Sequence, residues 1–268
     1  MIDRGREFGR ELQGRGRRTG DPRLLSTGLW TIAWFDFIEE HYDDMFAHAD
    51  EALRTSITPA DREMSELLVG MALVFRGQIA EGADRLWGVR ERCCNAGWTY
   101  ITSATDMPLG AAMALQGDMA GGVRFLEQLI ERNQEIGFVV GRDVARLILA
   151  EFYSVILEST RLPPFPVIRK NLWFLIVTKL SGWNKALALV LAARDNVMFA
   201  ETSHWRARTE TDLGVLYLMK KRYAEANECL QRARPMAAQL QEAALLAKID
   251  TALAKLPPSL QVEPKNPV

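Results

Sequence analysis

The chain has 268 residues, 48% of them hydrophobic and 25% charged, with 33 Lys and Arg set against 34 Asp and Glu. That balance excludes the basic excess that general nucleic-acid binding needs at phosphates, while the length allows a large core or an extended repeat array. The three cysteines, Cys93, Cys94 and Cys229, form no C-x-x-C pair for zinc or redox work and read as the reduced thiols of a cytoplasmic protein.

The N-terminal stretch "REFGRELQGRGRRTGDP" has no apolar run and is not a secretory signal. Residues 1–20 read instead as the second helix of a repeat whose first helix is missing, as if the chain were the C-terminal part of something longer. From residue 21 the periodicity is helical nearly everywhere, and strand-like alternation is scarce. Asp21-Pro22 and Thr58-Pro59 each offer a side-chain acceptor at an N-cap and a proline at the first helical position. Gly77 and Gly117 fall where helices should end in a left-handed residue. Pro108 falls inside a predicted helix and should kink or restart it, with Asp106 as a nearby cap.

The next segment, "RDVARLILAEFYSVILE", is broken by "RLPPFP", which predicts an insertion over about residues 159–183 containing an extra helix. The apolar region Leu172 to Ala193 is interrupted by Lys179, Ser181, Gly182, Asn184 and Lys185. It therefore reads as two buried helices with a turn between them rather than as a membrane span. "TDLGVLYLMKKRYAEANECLQRA" follows as the most regular segment. A last helix from about Ala237 to Leu256 should cap the array, with a disordered Pro-rich tail over 257–268.

Self-similarity organises these elements. "GMALVFRGQIAEGADRL" from Gly70 and "GAAMALQGDMAGGVRFL" from Gly110 repeat each other 40 residues apart. Aligning Ala33, Gly70, Gly110, Ala150 and Gly214 as small anchors puts Ile32, Val69, Leu109, Leu149 and Leu213 one residue before them. Three after come Asp36, Leu73, Met113, Tyr153 and Tyr217, and sixteen after come Leu86, Leu126 and Leu230 in three of the repeats. This is helix–turn–helix spacing of the tetratricopeptide kind. The expected fold is all-α: about five TPR-like repeats over residues 21–256, with the insertion in the fourth, wound into an α-α superhelix. The small anchor lets the first helix of each pair approach its neighbours, which must offset the roughly 1 kcal/mol penalty of a helical glycine.

Chemistry is harder to find. The paired glycines belong to no G-x-x-x-x-G-K-[ST] or G-x-G-x-x-G motif, so a phosphate cradle is not implied. His41 and Asp44 could share a helical face in "HYDDMFAH", which also carries His48, but a solvated turn between helices with one exposed histidine explains the segment better. His204, entering the last repeat in "HWRARTET", has no cysteine partner nearby in sequence. Cys93 and Cys94 close a helix beside Arg90 and Arg92, where burial outweighs thiol activation. Asp and Glu are scattered along helical faces as solvated surface is. No catalytic residue, metal site or cofactor is predicted.

What remains is surface. In tetratricopeptide-type stacks, first-helix positions three before, one after and four after the anchor line the inner face. Here these include Trp30, Trp34 and Phe37, then Leu67, Met71 and Val74, then Met107, Ala111 and Ala114. They would make an apolar groove for an amphipathic helix or another part of the same polypeptide, or for a small apolar effector. In a tightly wound stack the same residues would be core.

"RERCCNAGWTYITSATDMPLGAAMALQGDMAGGVRFLEQLIERNQEIGF", "RLILAEFYSVIL" and "HWRARTETDLGVLYLMKKRYAEANECLQRAR" resemble, in that order, the C-terminal helical-repeat region of bacterial multidomain class III adenylate/guanylate cyclases. Those proteins join a cyclase domain, an AAA-type ATPase and a tetratricopeptide-like region. The resemblance covers roughly Asp21 to Leu256. The metal-binding aspartates of a cyclase and the phosphate loop of an ATPase are missing from this sequence. The resemblance therefore implies a non-enzymatic regulatory module of cyclic-nucleotide signalling, with cyclase or ATPase modules as intramolecular or protein partners.

Overall fold

The computed structural model of the protein describes residues 2–159, 163–195 and 204–260. Among these residues there are twelve α-helices, a short 3-10 turn at Pro258–Leu260 and no strand. The helices are α1 (Ile2–Thr19), α2 (Pro22–Ile38), α3 (Tyr42–Thr55), α4 (Pro59–Phe75), α5 (Ile79–Asn95) and α6 (Thr99–Leu115). They continue with α7 (Met119–Glu135), α8 (Val139–Glu158), α9 (Phe165–Arg194), α10 (His204–Met219), α11 (Tyr223–Gln239) and α12 (Ala243–Leu253). Contacts divide the chain into two compact units, Met1–Ala145 with Pro164–Leu172 and Arg146–Pro163 with Trp173–Val268. The boundary runs through α8 and α9.

Turn chemistry sets the repeat. From α4 to α8 each connection is three residues long, and its middle residue is Gly77, Gly97, Gly117 or Gly137, all with positive φ and spaced 20 residues apart. At the first, the Gln78 N–H donates to Leu73 O at 2.9 Å and the Gly77 N–H to Val74 O at 3.1 Å, satisfying carbonyls that the helix end leaves open. The same pair of bonds recurs at Trp98 and Gly97, at Asp118 and Gly117, and at Phe138 and Gly137. The N-terminal caps fall at the expected residues: Asp21 accepts from the Arg23 and Leu24 amides, and Thr58 from the Asp61 amide. Asp118, unmarked in the sequence reading, caps α7 by accepting from the Gly121 amide.

In the first unit α1 packs on α2, and the first helices of successive pairs, α2, α4 and α6, pack on one another. The intervening helices α3 and α5 each pack on the helix before and the helix after. The anchors sit where these helices cross. A Cβ added at Gly70 would lie 2.9 Å from Leu86 Cγ, and one at Gly110 2.6 Å from Leu126 Cγ. The position sixteen after each anchor is thus the side chain that fills the space the anchor leaves. From the other side, a Cβ at Gly82 would lie 2.6 Å from Gly70 O, and one at Gly122 2.5 Å from Gly110 O. Glycine on both helices brings the two backbones nearly into contact. The second unit repeats the arrangement: a Cβ at Gly214 would lie 2.6 Å from Leu230 Cγ.

Three expectations change. Pro108 neither ends nor restarts its helix, since α6 runs from Thr99 to Leu115 through it. Proline removes one backbone bond, and contacts from α4, α5 and α7 hold the helix on three sides. Ala237 lies in α11, and the closing helix α12 begins at Ala243. The segment from Leu172 to Ala193 is not two helices with a turn: α9 is one 30-residue helix, long and apolar enough by length and composition to cross a bilayer. Its polar residues do not break it. Lys179, Asn184 and Lys185 are exposed, and the Ser181 hydroxyl donates to Val177 O at 2.9 Å within the helix. Residues 261–268 of the proposed disordered tail lie outside the described residues.

Candidate functional site: inner-face residues and buried carboxylate clamps

The residues expected to line an inner groove are mostly interior. Leu67, Met71, Val74, Met107 and Phe37 are buried, and Leu67 and Val74 join Leu86, Val89 and Leu109 in one apolar cluster. Trp30 and Trp34 are half-buried. The Trp30 indole N–H donates to Asp61 Oδ1 at 3.1 Å, tying α2 to α4, while the Trp34 ring packs against the cluster and lies 5.9 Å from Phe37. The structure thus gives the tightly wound alternative for five of these seven residues. The open cavity of about 590 Å³ beside α3 is polar, lined by Glu40, His41, Tyr42, Asp43, Asp44 and Arg76.

The buried carboxylates form a pattern that sequence reasoning took for solvated surface. Asp106 of α6 is fully buried and pairs with Arg90 of α5, at 2.5 Å, and with Arg132 of α7. Asp36 of α2 is held in the same way by Arg6 of α1, at 3.1 Å, and His48 of α3, at 2.7 Å. In the second unit Glu210 of α10, fully buried, meets Arg194 of α9 and Arg232 of α11, each at 3.0 Å. In each case an acid on the first helix of a pair is clamped by cations from the second helix of its own pair and of the pair before. A buried charge is tolerated only when paired, so each clamp fixes the register of three helices.

A sequence signal for this existed. Asp106 and Glu210 stand four residues before their anchors, and Asp36 stands three after its own. Those offsets differ by seven residues, two turns, and so share one helical face. An acid in the otherwise apolar column of Leu73, Met113, Tyr153 and Tyr217 was the visible anomaly. The basic partners lie 12 to 30 residues away; Arg90 and Arg194 each stand sixteen residues before their acid, and the other four share no offset.

The remaining candidates resolve individually. His48 is half-buried, and Asp36 holds its imidazole above the usual range, against the opposing effect of burial, with smaller help from Asp44 and Glu51. His41 is exposed at the start of α3. His204 has an acidic neighbour, Glu242 Oε1 at 2.7 Å from its Nδ1, outside hydrogen-bonding geometry and invisible at that sequence distance. Burial pushes the Cys93 and Cys229 thiols up to about 11, while Cys94 is exposed. Among the described residues no group of three or more His, Cys, Asp and Glu is arranged to hold a metal ion.

Repeated antiparallel pairs with small–large crossings define the class: this is an all-α array of tetratricopeptide-like helical repeats. BtubC (BKLC) from P. vanneervenii has a similar fold, with a TM-score of 0.52 over 90% of this chain and 93% of that one, at 13% sequence identity. A putative kinesin light chain of Podosopora anserina with nearly identical TPR-like repeats gives 0.44 at 18% identity, covering 91% of this chain and 99% of that one. In sequence, 90 residues are 30% identical to the ciliogenesis-associated TTC17-interacting protein of Rattus norvegicus, a match over 34% of this chain and 18% of that protein. No family model matches the chain.

Proposed function

We propose that the chain is a non-enzymatic interaction module, a repeat scaffold that presents its surface to another protein or to another part of its own polypeptide. The repetition of the Gly70–Leu86 crossing at Gly110–Leu126 and Gly214–Leu230 carries this reading. It describes a sequence devoted to stacking helices, and stacks of this kind work through extended surfaces. Trp30 and Trp34, the two inner-face residues with surface to offer, are the first choice for partner contact. The more specific reading is a cytoplasmic regulatory module of bacterial cyclase-type signalling, with cyclase and ATPase modules as partners, and it rests on the resemblance of the repeat segments alone.

Two measurements test these levels separately. Purified chain incubated with ATP and a divalent cation should make no cyclic AMP, and production of it would overturn the non-enzymatic reading. Binding to a purified cyclase–ATPase fragment of the multidomain class should weaken in Trp34→Ala. Loss of stability in that variant with binding intact would assign Trp34 to the core and move the contact elsewhere.

A further inference from the structure

Helix α9 departs from the rest of the molecule in charge and in exposure. Over Phe165–Arg194 it carries Arg169, Lys170, Lys179, Lys185 and Arg194 and no acidic residue of its own; Lys170 pairs with Asp118 and Arg194 with Glu210, both outside the helix. Three of its large apolar side chains stand in solvent within two turns: Trp173 is 76% exposed, Ile176 44% and Leu180 81%. At about 100° per residue these three fall within an arc of about 60°, with Lys179 on one flank. Phe165 and Leu172, nearer the start of the helix, are exposed as well.

The opposite side is committed. Thr178, Gly182, Ala186, Val190 and Ala193 are buried, and the Trp183 indole N–H donates to Leu216 O at 2.7 Å. Lys179 Nζ donates to the Leu157 and Ser159 carbonyls, at 3.1 and 3.3 Å, and closes the end of α8. Lys185 lies over the Tyr153 ring. A helix held along one side cannot thread a bilayer without tearing those contacts, but its free side can lie in the interface.

We propose that the Trp173–Ile176–Leu180 ridge docks on an anionic lipid surface, with α9 lying parallel to it. Aromatic and aliphatic side chains enter the headgroup boundary while Lys and Arg stay at the level of the phosphates. Charge chooses among occupants. A second copy would set one acid-free basic helix against another, and like charges face to face disfavour that pairing. An anionic interface supplies the opposite charge and an apolar layer together.

Flotation of the full chain with vesicles tests this. Binding to equimolar phosphatidylcholine and phosphatidylserine should be clear, absent with phosphatidylcholine alone, and weakened by raised salt. Leu180→Glu and Trp173→Glu, both at exposed positions, should each weaken it about tenfold or more, the loss expected when a large apolar side chain no longer leaves water. Should either variant melt early, Leu180→Gln gives the same readout without a new charge. No binding to either vesicle, equal binding to both, or binding unchanged in the double variant would overturn the proposal. Leu180-dependent dimers in sedimentation without vesicle binding would overturn it in favour of a second copy.

Discussion

The clamps at Asp36 and Asp106 share a design and differ in one ligand. Each is a buried carboxylate on the first helix of a pair, reached from both neighbouring second helices. Asp106 is held by two guanidinium groups, whose charge is fixed at any ordinary pH. Asp36 is held by one guanidinium and one imidazole, and Arg6 also pairs with Glu39 at 2.8 Å. The first three helices are therefore joined by a titratable link where α5, α6 and α7 are joined by a permanent one.

The largest effect should come from breaking the permanent clamp. Asp106→Ala leaves two part-buried arginines without their counter-charge, and urea unfolding should show a loss of about 3–5 kcal/mol. Asp36→Ala should lose distinctly less in the same assay, because His48 can shed its proton and Arg6 keeps Glu39. Equal losses would show that the two clamps are energetically alike.

Next comes pH. His48 is raised in the folded protein above the 6.5 of the free group, so its contribution is fully present below that value and is lost as pH rises through the folded value. The melting temperature of the chain should fall with rising pH through this window. His48→Arg, which copies the Asp106 arrangement, should flatten that slope. A slope unchanged in this variant would place the titration elsewhere.

Thiol reactivity should separate exposed from buried sulfur. Native chain should react quickly at Cys94 alone, with Cys93 and Cys229 modified only on unfolding, because burial holds both as thiols up to about 11. Mass mapping after brief alkylation reads this directly.

The smallest effect concerns the turns beside the two clamps. After α6 the left-handed residue is Gly117, but after α2 it is Glu40, with φ at 60°. Glu40→Gly should stabilise the protein by up to about 1 kcal/mol in thermal unfolding, and Gly117→Ala should destabilise it by about as much.

Much of the fold was legible because its signals are local. Glycine at 77 and 117, the Asp-Pro and Thr-Pro caps and the recurring anchor each fix a backbone feature within a few residues, and the structure uses them as read. Two local rules misled for different reasons: Pro108 does not restart α6, which is packed by α4, α5 and α7, and the polar residues of α9 leave it unbroken because Lys179, Asn184 and Lys185 reach solvent from its surface. The groove residues were named by position, and position alone does not say how closely α2, α4 and α6 approach: Phe37, Leu67, Met71, Val74 and Met107 are buried. The clamps were missed because their partners come from other helices.

By itself, then, the sequence determined the helical period, the turns and the small–large pairing of each repeat, since all three depend on backbone conformation and on neighbours within one repeat. Tertiary structure decided which charges are buried, which apolar residues are core and which stand exposed on α9. Those outcomes depend on desolvation and on distances between helices, and neither is written in the spacing of residues along one chain.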